Sequence, residues 1–256
     1  MSTIWNADGL VPTRSANIDR YKLNFLKQAV CELRFPTLME LGDSRPPVAM
    51  VAALRKEYPH LELANQVTIG VGAPAGTSNA HIFRSSKLNW TVSLNQSSLS
   101  IETTAYPGFP QMRERILRVV DAAAKIIDSD FFTRIGLRYI NVIDTDEDPT
   151  DGWVNPALVQ PILSRQFAGI QEYAGRLQLL ADDGGCLLQH GIRLKQPARD
   201  GKATPPEYLL DIDSNRNDVA LSDTAEALDA MHNQVFDIFD WSLGEKARNH
   251  LSKGAS

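Results

Sequence analysis

The side chains with the most scope for chemistry sit on segments that read as strands. Glu32 and Arg34 alternate with apolar residues in AVCELRF at 29–35. Glu102 lies in a similar run at 98–104, Arg134 and Arg138 in TRIGLRYINVI at 133–143, and Asp211 and Asp213 at 207–213. A period of two places Glu32 and Arg34 on one face and Ala29, Cys31, Leu33 and Phe35 on the other. If these strands share a sheet, one face is unusually charged. Arginine suits an anionic ligand or a partner segment because its planar fork grips carboxylate or phosphate in two places. Arg34, Arg134 and Arg138 are therefore candidate binding residues. Asp211 and Asp213 join them as a base or a weak Mg²⁺ ligand, although no third acidic ligand is evident. The structural reading is favoured: the signs nearly balance, and cross-strand ion pairs on a solvated face account for the same residues.

Other catalytic patterns fail on their own terms. Gly70-Val71-Gly72-Ala73-Pro74-Ala75-Gly76 lacks the helix that a phosphate loop must open, and reads as a hairpin loop. Gly201-Lys202 lacks the upstream glycine and the following hydroxyl residue of a P-loop. There is no Gly-x-Ser-x-Gly elbow and no His-Glu-x-x-His. The five histidines have no ligand spacing; His190 and His232 fall on apolar faces and read as satisfied core-edge residues. Cys31 falls on the apolar face of its strand, where a thiol is inert. No cofactor or metal is implied.

Net charge is −5, with acidic and basic residues mixed along the chain. A chain that lives on phosphate contacts carries a basic footprint, so nucleic acid is an unexpected partner. Arg113, Arg115 and Arg118 read instead as the solvated face of a helix. Cys31 and Cys186 lie far apart, the usage of a reducing cytoplasm. Met1 to Ala16 has no apolar signal core, and no run approaches the ~20 apolar residues of a membrane span. A cytoplasmic protein without membrane partners is expected.

The elements that must position these residues follow from periodicity. After a polar arm over 1–19, read as flexible, comes the strand at 29–35. A helix over about 47–58 follows, with Val51, Leu54 and Tyr58 as its stripe. Short β-like runs occupy 66–71, 80–85, 88–94 and 98–104. Tyr106-Pro107-Gly108-Phe109-Pro110 breaks the chain before an amphipathic helix over 111–128, with Met112, Ile116, Val119, Val120, Ala123 and Ile127 inward. The strand at 133–143 ends in the acidic loop DTDEDPTD at 144–151, the best internal boundary. A helix near 156–167, a hairpin about Asp182-Asp183-Gly184-Gly185 and the strand at 207–213 follow. A long helix over about 223–241 and a short terminal one close the chain. Asp223/Glu226 and Ser242/Glu245 carry capping-box spacings for these two. Strands come in hairpin groups rather than alternating with helices. That predicts an α+β fold with mostly antiparallel sheet, in two similar halves, 20–146 and 152–251, sharing one compact unit.

Taken together, AVCELRF at 29–35, YPGF at 106–109, IGLRYINVID at 135–144, LLDID at 209–213 and the last long helix with His232 and Phe236 carry a resemblance. In that order they resemble a sporadically distributed bacterial family of uncharacterised proteins of about this length. The resemblance covers about residues 21–251, with YPGF and GLRYIN its most specific pieces. It implies no settled catalytic site or cofactor. The patchy distribution implies genomic islands, where defence and toxin–antitoxin genes gather. The lead into the first strand, LNFLKQAV, departs from the family's Pro-containing acidic lead at Phe25, Leu26 and Gln28.

The sequence thus points to a non-enzymatic binding or regulatory module that acts through a protein partner, in a defence or toxin–antitoxin setting. Its working surface is the charged strand face and the YPGF turn with Tyr106. The alternative is an enzyme or sensor for a small anionic, nucleotide-like ligand held by Arg34, Arg134 and Arg138. Sheet edges also leave room for a homo-oligomer.

Overall fold

A computed structural model describes residues 6–18, 20–68, 76–170, 172–195 and 204–253. Among the described residues are nine strands and five helices: β1 (Leu26–Arg34), α1 (Val48–Leu54), β2 (His60–Thr68), β3 (Gly76–Arg84), β4 (Trp90–Leu94), β5 (Ser98–Thr103), α2 (Phe109–Ala124), β6 (Phe131–Ile143), α3 (Pro156–Leu163), β7 (Tyr173–Ala181), β8 (Gly184–Arg193), β9 (Glu207–Ala220), α4 (Thr224–Ser242) and α5 (Glu245–Ser252). The fold is α+β, with an antiparallel sheet in the order β2-β3-β4-β5-β1-β6-β9-β8-β7. Of the two glycine-containing loops singled out in the sequence, residues 70–75 of the first and 197–203 of the second lie outside the described residues, while Gly76 opens β3.

The chain forms two compact units, each discontinuous in sequence. The first comprises Met1–Lys27, Arg138–Ser214 and Ala230–Ser256; the second comprises Gln28–Leu137 and Asn215–Asp229. The acidic loop at 144–151 therefore lies inside the first unit.

In the second unit, β1 pairs with β5 so that Cys31 faces Ile101 and Leu33 faces Leu99. β4 continues the row with Val92 opposite Ile101 and Leu94 opposite Leu99. These side chains are fully buried, as are Met112 and Ile116 of α2. The amphipathic stripe of α2 supplies the apolar cover that one sheet face needs. Gly108 enters α2 at φ 109°, a conformation that only glycine takes without strain, with Pro110 in the first turn. That is the physical content of the YPGF turn.

In the first unit, β7 and β8 form a hairpin across Asp182-Asp183, with Ala181 opposite Gly184. Tyr208, Leu210 and Ile212 of β9 are buried, as are Met231 and Val235 of α4. Residues 6–18 of the arm belong to this unit. The Ala7 amide donates to Asp183 at 2.8 Å, and Gln234 Nε2 donates to the Ala7 carbonyl at 2.7 Å.

Two local expectations are corrected. β9 does not end at Asp213 but runs to Ala220, because Ser214, buried, donates to Gln234 Oε1 at 2.7 Å and so tolerates the interior. The terminal helix has no Ser242/Glu245 capping box. Ser242 Oγ donates back to the Ile238 carbonyl at 2.7 Å, and Gly244 takes the cap position without a side-chain bond. A Cβ there would sit 2.2 Å from the Gly152 carbonyl oxygen, which is why a glycine stands at that point.

Candidate interaction surface

On the second unit, the half-buried face of β1 carries Gln28, Val30, Glu32 and the exposed Arg34. Arg134 Nη1 on β6 donates to Glu32 Oε2 at 3.0 Å, and Arg34 Nε donates to the same oxygen at 3.2 Å. Gln28 Nε2 donates to Glu102 Oε2 at 3.0 Å. Two arginines thus converge on one carboxylate. Gly136 makes the arrangement fit: a Cβ at that position would lie 2.5 Å from Arg134 Nη1. The glycine of GLRYIN lets the guanidinium lie flat along the strand.

On the first unit, Arg138 binds Asp211 with both prongs of its fork. Nε reaches Oδ1 at 2.8 Å and Nη2 reaches Oδ2 at 2.5 Å. The Asp211 side chain is only 10% exposed, while that of Arg138 is 44% exposed. The Asp211 hydrogen bond raises the Arg138 pKa against the opposing cost of burial, and the charge of Asp213 adds to it. Arg193 Nε and Glu207 make a further pair at 3.2 Å.

Within the second unit, Arg34 and Arg134 meet at Glu32; within the first, Arg138 grips Asp211, with the charge of Asp213 acting on it. Tyr106 is half-buried in the turn that leads into α2. Asp211 is committed to Arg138, and among the described residues no group of three or more His, Cys, Asp or Glu could hold a metal ion.

The arginines of α2 are also engaged. Arg113 grips Asp229 at 2.6 and 2.9 Å. Arg118 bonds Glu57 and, at 2.7 Å, Glu114. Arg115 lies 4.6 Å over the Trp90 ring. An open hollow of 320 Å³ runs along this helix surface, lined by Pro110, Arg113, Glu114, Leu117, Arg118 and Asp121.

Other groups with catalytic potential lie in or beside the core. Burial pushes the Cys31 thiol up to about 12, with the Glu32 charge adding to the effect. His190 Nδ1 meets the Tyr208 hydroxyl at 2.6 Å; burial lowers the imidazole pKa and raises that of the phenol. His232 Nδ1 lies 3.2 Å from Tyr139 Oη, its ring edge-on to the tyrosine.

One constellation escaped the sequence reading. Asp240 of α4 is nearly buried and gathers four donors within the first unit: Ser15 Oγ at 2.8 Å, Asn17 Nδ2 at 3.2 Å, the Tyr21 hydroxyl, and Arg248 Nε at 3.4 Å. Burial alone would raise its pKa. The hydrogen bonds from Tyr21, Ser15 and Asn17 and the charge of Arg248 outweigh that and hold it below the ordinary carboxylate value. Three residues earlier, Asp237 accepts the Ser15 amide at 2.7 Å and Arg14 Nη1 at 2.8 Å. The available signal was VFDIFDW at 235–241, where two acids interrupt an apolar run.

No protein-family model matches the chain, and no curated protein matches it. No described helix is long and apolar enough to cross a membrane.

Proposed function

We propose that this chain is a non-enzymatic binding or regulatory module that acts through a protein partner, and that its bacterial setting is a defence or toxin–antitoxin locus. The setting rests on the landmarks of the family it resembles. The binding role rests on one observation above the others, the Arg138–Asp211 pair. An exposed guanidinium locked by a nearly buried carboxylate has lost its rotamer freedom before any partner arrives, which lowers the entropy cost of association. Arginine in such a position is a frequent anchor of protein interfaces. The same geometry narrows the small-anion reading, because the Nε/Nη2 edge of Arg138 already holds Asp211 and leaves only the Nη1 side for an anion.

The test is an affinity capture from the native host with the wild-type chain, Arg138→Ala and Arg134→Ala, analysed for proteins and small molecules together. A protein partner bound by wild type and lost in either variant supports the reading and locates the surface. A small anion bound by wild type and lost in the variants replaces it with the sensor reading. Identical captures from all three chains refute a role for the charged face.

A further inference from the structure

The strongest unused feature of the first unit is the outer edge of β7. This strand ends the sheet order, pairs on one side with β8, and has no buried residue along its nine positions. Leu177 is 45% exposed and Leu180 66% exposed. Natural edge strands are usually short, or guarded by lysine, proline or a bulge. The sequence YAGRLQLLA has one charged residue, Arg176, and no proline.

We infer that β7 pairs antiparallel with β7 of a second copy of this chain, about a two-fold axis at Leu177. The argument begins with the backbone. In a two-residue hairpin the closing pair, here Ala181 and Gly184, is hydrogen-bonded, so the odd-numbered residues of β7 direct their amides and carbonyls toward β8. The Tyr173 carbonyl does lie on the β8 side, 2.4 Å from where a Cβ on Gly191 would be. The even-numbered residues 174, 176, 178 and 180 therefore offer theirs to a new strand. An axis at Leu177 brings even residues opposite even ones, as a ladder requires: Arg176 with Gln178, and Ala174 with Leu180.

The side chains are complementary in the same register. Leu177 meets its own copy, Leu179 faces Gly175, Leu180 faces Ala174, and Tyr173 faces Ala181. Leu179, Leu180 and Tyr173 each oppose a small residue, and Leu177 packs on its own copy. Arg176 faces an amide that already accepts its guanidinium within the strand, at 3.2 Å. Moving the axis one residue toward the N-terminus would oppose Arg176 to Arg176, which like-charge repulsion disfavours. At the rim Glu172 faces Asp182, so association tightens as salt rises.

Nine residues at ~3.4 Å each give a strip ~30 Å long, and a sheet edge is about 10 Å deep, so the pairing covers about 300 Å² in projection on each copy. That is below the standard interface of ~800 Å² per partner. The dimer is therefore weak and reversible, and the measurement must reach high concentration.

The test is sedimentation equilibrium of the full chain over roughly 1–500 μM, bracketing a micromolar Kd, at low and high salt. The expected result is a mass that rises from monomer toward dimer, more so at high salt. Leu177→Lys puts two ammonium groups together at the axis. Gln178→Pro removes an outward amide while leaving the β8 ladder intact. Both are expected to stay monomeric with unchanged circular dichroism. Register is read separately with cysteine. Paired Leu177 Cα atoms lie ~4.5 Å apart, within disulfide reach, whereas Arg176 to its own copy is about 8 Å. Leu177→Cys should form a linked dimer with oxidised glutathione and Arg176→Cys should not; the native Cys31 and Cys186 are buried. A monomer at every concentration, a dimer that persists in both strand variants, or equal cross-linking at 176 and 177 overturns the proposal. None of these outcomes bears on the Arg138 surface, so the two readings fail separately.

Discussion

Asp240→Asn is the most informative single perturbation of the first unit. Asp240 Oδ1 receives the Tyr21 hydroxyl, Asn17 Nδ2 and Arg248 Nε, while Oδ2 receives Ser15 Oγ at 2.8 Å and a longer contact from Asn17 Nδ2 at 3.4 Å. An asparagine must turn its NH₂ toward one set. Turning it toward Oδ1's donors would strand three of them, so the amide takes the Oδ2 position and the Ser15 hydroxyl reverses to accept. The bonds from Tyr21 and Asn17 survive as neutral ones, and that from Arg248 survives without its ion pair. A hydrogen bond to a charged group contributes about 1.5–3 kcal/mol and a neutral one about 1, so losing the charge at a shared site costs about 2 kcal/mol. Asp240→Ala loses every acceptor and leaves four donors unmatched, for about 4 kcal/mol. The folded carboxyl pKa is depressed, so its contribution is full above the unfolded value of about 3.9 and vanishes as pH falls through the folded value. The gap between wild type and Asp240→Asn should therefore close on acidification below the ordinary carboxylate range. Urea titrations at neutral and acid pH measure it, and limited proteolysis at 6–23 reports whether the arm has detached. An Asp240→Asn chain within about 0.5 kcal/mol of wild type at pH 7, the range of surface substitutions, refutes the reasoning. So does a gap that stays constant down to pH 3.

Arg138→Ala strands the nearly buried Asp211 and should cost about 1–3 kcal/mol in chemical denaturation; Arg138→Lys, a point charge without a fork, should recover part of it. Tyr208→Phe removes the hydroxyl held by His190 and should cost about 1–2 kcal/mol. The depressed folded pKa of His190 makes its contribution full above the unfolded value of about 6.5 and lost as pH falls through the folded one. An imidazole resonance in NMR that already titrates above pH 6.5 contradicts this. Cys31, its thiol pushed up to about 12 by burial, should react with an aromatic disulfide reagent at pH 8 only after unfolding; fast labelling of the native chain would contradict the burial.

Much of the element order was legible because period survives translation into structure. β1, β6, α2 and α4 stand where alternation or a 3.6-residue stripe placed them, and Asp182-Asp183 turns the hairpin. What failed did so for local reasons. β2 starts at His60, six residues earlier than expected, because Leu61 and Leu63 are exposed and mark no buried face. α1 stops at Leu54, and its buried residues are Met50 and Leu54 rather than a stripe through Val51. The ion pairs were illegible in detail because they depend on sheet order. β1 sits between β5 and β6, and β6 between β1 and β9. Nothing in a linear pattern announces that Arg138 meets Asp211, 73 residues on. The Asp240 site needed the path of an aperiodic arm.

The pairing of these charges bears on how the proposed partner would be recognised. Free arginines create a field that steers anions, and binding through them weakens steeply with salt. Arg34, Arg113, Arg118, Arg134 and Arg138 each already have a carboxylate within the chain. Their far field is cancelled, and what they offer is directed N–H donors at fixed positions. A partner must match that pattern without displacing Glu32 or Asp211, since displacement would leave a carboxylate desolvated without its cation. Recognition of this kind gains specificity more than affinity or speed. The partner affinity should therefore change only a few-fold between low and physiological salt. A steep loss of binding over that range would mean that the internal pairs open to take a phosphate-like ligand, and would return the small-anion reading to first place.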